Sequence, residues 1–220
     1  MNSFLKDSIN YDDDITLVIP TVGESSLAET VKSVMNSSTV PHKILLCIPY
    51  QLYESILYLS NEYKCIEVVP TDQQGQVIQR IFGFKKCITK YTLQLDSDVI
   101  VDRFLVANLK RFIENNPETS VGPVIYRANN NTEHSFLSPS CNLFKGYQKK
   151  IITRILNGPD GYQSGVISKG GVAFGPDTRG DDSEVEWLPG CCIMHETKNL
   201  ILDKFYFGRG KAYAEDLYHS

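Results

Sequence analysis

Tyr91-Thr92-Leu93-Gln94-Leu95-Asp96-Ser97-Asp98 decides the fold of this chain. A short apolar-rich run leads straight into two aspartates one residue apart, so it reads as a buried strand with an acidic carboxyl end. Residues two apart on an extended segment point the same way, so Asp96 and Asp98 are expected to face one ligand. Hard oxygen ligands at a sheet rim suit Mg2+ or Mn2+, with a diphosphate completing the shell. Taken alone, the triplet fits a strand-end turn with two solvated aspartates equally well.

Outward from this strand, three more precede it. Ile15 to Ile19 stops at Pro20, Lys43 to Ile48 closes at Pro49, and Cys65 to Val69 ends at Pro70. A fifth is expected over Ser120 to Tyr126. Helical spacing fills the gaps. Ser26-Leu27-Ala28-Glu29 has the form of a capping box before Leu27, Val31, Val34 and Met35. Leu52, Ile56, Leu59 and Tyr63 follow with helical spacing, then Ile78, Ile81 and Phe82, then Leu105, Leu109 and Phe112. Strand–helix alternation implies an α/β fold with a mostly parallel central sheet flanked by helices. Ligands bind such sheets at the carboxyl ends of strands, which places Pro20-Thr21, Asp72 and Asp96-Ser97-Asp98 on one rim.

The second half is less regular. A helix is expected over Leu143 to Leu156, with Phe144, Tyr147, Ile151 and Ile155 inward. Gly158 to Asp182 is long and glycine-rich, the form of a mobile lid. Glu186 to His195 contains a strand interrupted at Gly190, and Glu215-Asp216 comes near the last residue. The expected organisation is a flexible leader over 1–14, a ligand-binding half over 15–126 and a smaller second half over 127–220.

Bulk properties exclude several classes. A net charge of −4 gives no electrostatic reason to hold nucleic acid. No apolar run has the length of a membrane span, and the polar start, ending in Asp12-Asp13-Asp14, lacks the pattern of a signal peptide. A cytoplasmic protein is expected. None of the 6 cysteines forms a Cys-x-x-Cys pair, so zinc is not expected, and Cys47, Cys65 and Cys87 read as reduced thiols in or beside apolar segments. No phosphate-binding glycine motif follows the first strand, which removes dinucleotide and P-loop folds.

Three stretches, in this order, resemble the large glycosyltransferase family 2. They are Thr16-Leu17-Val18-Ile19-Pro20-Thr21 with Glu24; Gly75 to Gly83 followed by Leu93 to Asp98; and Trp187-Leu188-Pro189-Gly190-Cys191-Cys192 followed by Glu215-Asp216. The resemblance implies the glycosyltransferase-A fold with a smaller acceptor-side region. It also implies an inverting, metal-dependent transfer of a sugar from a nucleotide-diphosphate donor to a glycan or lipid-linked acceptor. The setting it implies is surface polysaccharide or glycan biosynthesis, at the inner face of the membrane through the acceptor.

By position it implies that Pro20, Thr21 and Glu24 line the nucleoside pocket and that Asp72 bonds the base. Arg80 supports the diphosphate or its loop. Asp96 lies in the ribose or metal region, Asp98 is the main ligand of Mn2+ or Mg2+, and Asp216 is the general base. Trp187, Gly190 and Glu215 fall on the acceptor side. The family pattern has asparagine where this chain has Ile81, and it continues beyond the acidic pair, so a chain truncated at its C-terminus is expected. A non-catalytic nucleotide- or sugar-binding module remains an alternative. An Asp-x-Asp phosphatase fits less well, because three strands precede the aspartates and no apolar strand leads into Gly180.

Overall fold

The computed structural model of the chain describes residues 9–126, 147–175 and 182–202. It divides into two compact units, Met1–Gly122 with Gly190–Glu215, and Pro123–Pro189 with Asp216–Ser220. The boundary expected at 126 therefore moves to 122, and the segment from Gly190 returns to the first unit, because its strand hydrogen-bonds into that unit's sheet.

The first unit is built on five strands in the order β3-β2-β1-β4-β5. They are β1 (Tyr11–Pro20), β2 (Val40–Pro49), β3 (Ile66–Thr71), β4 (Tyr91–Leu95) and β5 (Cys192–Glu196). The first four are parallel, and β5 runs antiparallel beside β4, with Leu93 opposite Met194. The helices α1 (Leu27–Met35), α2 (Leu57–Glu62), α3 (Gln76–Phe84) and α4 (Leu105–Asn115) connect them, with a 3-10 segment over Tyr50–Ile56.

The sheet is buried on both faces, and alternate residues on each strand serve different layers. Ile15, Leu17 and Ile19 of β1 pack with Leu27 and Val31 of α1 and with Val106 and Leu109 of α4. Val18, between them, turns to the other side and packs with Leu45, Cys47 and Phe84 under α3. A strand enclosed in this way needs apolar residues on both sides, which is why its sequence reads as a continuous apolar run.

Four expectations are corrected in this unit. Residues 11–14 belong to β1 rather than to a leader: Asp12 and Asp14 pair with Lys110 at 2.7 and 3.1 Å, so their charge is anchored. Ser120 to Tyr126 forms no strand of the sheet; Val121 makes only an isolated bridge to Met194. Ser26 precedes α1 in helical geometry and its side chain makes no cap bond, so the capping box is absent. In α3 the inward residues are Val77, Gln79, Arg80, Ile81, Gly83 and Phe84, so two polar side chains sit where an apolar stripe was expected.

Gly83 sets how closely α3 lies on the sheet. A Cβ there would be 2.8 Å from Cys47 Sγ and closer still to Val18 Cγ1. Alanine would gain about 1 kcal/mol of helix propensity. Overpacking against two central strands costs about 1–3 kcal/mol and often more when neighbours cannot move. The clash is expected to win: Gly83→Ala should lose about 2 kcal/mol net, seen as a melting temperature lowered by roughly 4–8 °C. An unchanged or higher melting temperature would show that α3 is not seated so closely.

In the second unit, α5 (Tyr147–Asn157) presents a different face from the one expected. Tyr147 and Ile155 are 78% and 76% exposed, whereas Thr153 and Asn157 are buried. Asn157 explains the inversion: its Nδ2 donates to the Gly161 carbonyl at 2.9 Å and its Oδ1 accepts from the Lys169 amide at 3.2 Å. Phe144 lies outside the described residues. The described part of the Gly158 to Asp182 segment is a packed loop, with an Ile167–Ala173 bridge and a fully buried Phe174.

Candidate functional site

A cleft of about 1100 Å³ opens at the carboxyl ends of β1, β3 and β4. Pro20, Thr21, Glu24, Asp72, Asp96 and Asp98 all line it, and Gly75, Gln76 and Gln79 are among the residues that share its wall. Topology explains the gathering. In a parallel sheet every carboxyl end points to the same rim, and each strand is followed by a loop rather than a tight hairpin.

The β1 side is a rigid turn. Thr21 Oγ1 donates to Glu24 Oε2 at 2.5 Å, the Val22 amide donates to the same oxygen at 3.3 Å, and the Gly23 amide donates to Thr21 Oγ1 at 2.9 Å. Gly23 has φ +81°, the left-handed region, and a side chain there would crowd Ser55 Oγ at 3.1 Å. Partial burial pushes the Glu24 carboxyl pKa up, but hydrogen bonds from Thr21, its own backbone, Ser97 and Val22 outweigh it. The result is a pKa below the usual carboxylate value. A charged acceptor is therefore fixed at the cleft wall near neutral pH.

On the β3 side, Thr71 Oγ1 donates to the Gln73 carbonyl at 3.0 Å and shapes the loop that carries Asp72. On the β4 side, the strand ends at Leu95. Ser97 and Asp98 form a turn, so the extended pair of parallel carboxylates is corrected: the two aspartates reach the cleft from a bend. Thr30 Oγ1 holds that bend by donating to the buried Ser97 carbonyl at 2.9 Å.

The two carboxylates are chemically different. Asp96 Oδ1 accepts from Gln76 Nε2 at 2.8 Å and from Arg80 Nη2 at 2.9 Å. Asp98 is exposed at the cleft. The Arg80 side chain is 2% exposed and pairs with the Asp96 carboxylate. It ties Asp96 to α3 and lies 3.4 Å from the Gly190 carbonyl. That same carbonyl accepts from Gln94 Nε2 at 2.8 Å, which gives Gly190 a structural place beside β4.

Trp187, expected on the acceptor side, is buried, and its Nε1 donates to the Phe174 carbonyl at 2.9 Å; it is a core residue of the second unit. Glu215 and Asp216 lie outside the described residues. Cys47 and Cys192 are buried thiols and Cys87 is half-buried; burial raises the thiol pKa of all three, that of Cys87 to about 11, so none of these three is poised as a nucleophile. Sequence reasoning gave no role to Gln76 and Gln79, although both fall in the Gly75 to Gly83 stretch that carries the family resemblance.

The family model described as "Glycosyl transferase family 2" matches residues 16–169. That span contains the carboxyl ends of β1, β3 and β4 and most of the chain. The chain belongs to glycosyltransferase family 2. Its mostly parallel sheet with one antiparallel strand and helices on both faces is a glycosyltransferase-A fold.

Similar solved structures include S. aureus TarS 1-349 in complex with UDP-GlcNAc, at 14% identity and TM-score 0.45, over 57% of this chain and 38% of that one. Another is the mannosyltransferase PcManGT from Pyrobaculum calidifontis in complex with GDP-Man and Mn2+, at 13% identity and TM-score 0.43, over 58% and 41%. The alignments thus span well under half the length of these proteins. Among curated proteins the sequence matches none.

Proposed function

We propose that this family 2 chain is the donor-binding and catalytic part of an inverting glycosyltransferase using a nucleoside diphosphate sugar. The observation that carries the reading is the rim cleft. One wall offers the locked Glu24 carboxylate and the other offers Asp72, both able to accept from a nucleobase or ribose, and Asp96 and Asp98 lie at its β4 end. The proposal extends to a glycan or lipid-linked acceptor, a role in polysaccharide assembly and a cytoplasmic site at the inner face of a membrane, on the strength of the family resemblance alone. No described helix is long and apolar enough to cross a membrane.

The residues fit Mn2+ or Mg2+. Among the described residues no group of three or more His, Cys, Asp or Glu converges, so an all-protein cage is absent. Hard cations in nucleotide sites need only one or two carboxylates, with phosphate oxygens and water filling the shell. Asp98, exposed at the cleft, suits that role, with Asp96 behind it already held by Arg80 and Gln76. Such an ion would offset the negative charge that develops on the departing diphosphate.

This chain's residues do the rest. The cleft orients the donor so that its anomeric carbon is open on the side away from the diphosphate. The acceptor oxygen forms its bond to that carbon as the bond to the phosphate oxygen breaks. Asp216 takes the hydroxyl proton during the attack. One base and one displacement invert the configuration, without a covalent intermediate.

A thermal-shift comparison of UDP and GDP, with and without Mn2+, tests the donor reading. A ligand at about 100 times its Kd adds about 2.7 kcal/mol, which raises the melting temperature of a domain this size by roughly 5–11 °C. At least one nucleotide should do so, and more strongly with Mn2+. No shift with either would remove the reading. A shift with no sugar transfer to any acceptor would favour the non-catalytic binding module.

A further inference from the structure

We infer that Gln79 is the positioning residue that sets the width of the donor cleft; the inference rests on the nucleotide-binding reading of that cleft. Gln79 lies inside α3 and is 2% exposed. Its amide joins three separate pieces of chain. Nε2 donates to the Thr21 carbonyl at the end of β1 and to the Cys47 carbonyl near the end of β2, both at 2.6 Å. Oε1 accepts from the Gly75 amide, in the loop that leads from β3 into α3, at 3.1 Å.

All the hydrogen-bonding capacity of the side-chain nitrogen is thus used, and the carbonyl end is used as well. Only a side chain with two N–H donors and an acceptor on one planar head makes this junction. Thr21 and Gly75 both line the cleft, Thr21 from the end of β1 and Gly75 from the loop after β3. The Cys47 carbonyl also accepts from the Thr21 amide at 2.9 Å, so the clamp extends the sheet ladder by one side chain.

The consequence is geometric. The Thr21–Glu24 turn comes from β1, whereas the loop with Asp72 and Gly75 comes from β3, and β2 lies between those strands in the sheet. No direct strand pairing fixes their separation beyond the last ladder bonds. Gln79 spans that gap. The adjacent Arg80 fixes Asp96 just beyond the end of β4, so α3 acts as the rack on which the three parts of the cleft are mounted. A ligand contacting both walls at once gains from a separation fixed before binding, because ordering then costs nothing at the moment of binding.

Gln79→Met keeps length and volume but removes all three bonds. It is expected to weaken Mn2+-dependent binding of UDP or GDP about tenfold, a loss on the scale of one net hydrogen bond, measured by calorimetry well below the variant's melting temperature. Amide exchange at Gly75 should quicken in the same variant. Gln79→Glu keeps shape and the Gly75 acceptor but sets an oxygen against two carbonyls, and should weaken binding at least as much. Unchanged nucleotide affinity in a folded Gln79→Met, with only the melting temperature lowered, would make Gln79 a structural residue and overturn the inference. Should Gln79→Met fail to fold, Gln79→Glu in the same assay decides. Failure of the wild-type protein to bind either nucleotide would instead remove the donor reading itself.

Discussion

Asp98→Ala is expected to abolish Mn2+-dependent binding of UDP or GDP while leaving the unliganded melting temperature within about 2 °C of wild type, the range for an exposed side chain without structural bonds. The separation of effects follows from where the side chain sits. Asp98 is exposed, lines the cleft, and has no hydrogen-bond or ion-pair partner among the described residues. Removing it takes nothing from the fold.

The neighbouring substitution would be far less informative. Asp96→Ala removes the carboxylate to which the buried Arg80 is paired and two hydrogen bonds that hold α3 to the end of β4. Breaking a pair with so little exposure on one side is destabilising in itself. Lost binding in that variant would report on the rack as much as on the metal. Calorimetric titration of Asp98→Ala with UDP and GDP, in Mn2+ and in chelator, is the measurement. Binding that stayed both intact and Mn2+-dependent would assign the ion to other ligands.

The contrast between these aspartates shows what a sequence can and cannot carry. The motif pointed to the right rim, since strand ends are set by apolar runs with abrupt polar stops, and those are local signals. The extended geometry assumed for the pair was wrong because Ser97 and Asp98 bend, held by Thr30 from α1, a residue 67 positions away. Gln79 was invisible for the same reason. Nothing local distinguishes a glutamine that joins three chain segments from one facing water.

The errors elsewhere have a common cause. The apolar spacing of Tyr147, Ile151 and Ile155 was read as a buried face, yet Asn157 and Thr153 take the inside. Periodicity finds a helix and its apolar side, but which side is covered depends on what packs there. The place beside β4 goes to β5, arriving from Gly190 onward, and Ser120 to Tyr126 adds to β5 only the Val121–Met194 bridge. Strand propensity cannot foresee a competitor from 70 residues later in the chain. The acidic run at 12–14 looked like solvated leader until Lys110 on α4 supplied its counter-charge.

The largest kinetic effect is expected at Asp216. Asn in its place has nearly the same shape and still hydrogen-bonds, but it cannot accept a proton from an attacking hydroxyl. With no base to take the proton, the acceptor must attack as a neutral alcohol, and turnover should fall by a factor of roughly 10² or more. Asp216 lies outside the described residues, so its assignment rests on its place as the second member of an acidic pair in a family 2 chain. Nucleotide affinity supplies the control. Asp216→Asn should bind UDP or GDP with Mn2+ as the wild type does, the opposite of Asp98→Ala, so the two variants divide chemistry from donor binding. Glu215→Gln refines the division: if Glu215 orients the hydroxyl, its loss raises the acceptor KM more than it lowers kcat. Near-normal kcat in Asp216→Asn would place the base elsewhere, and a large kcat loss in Glu215→Gln would then identify Glu215 as the group that takes the proton.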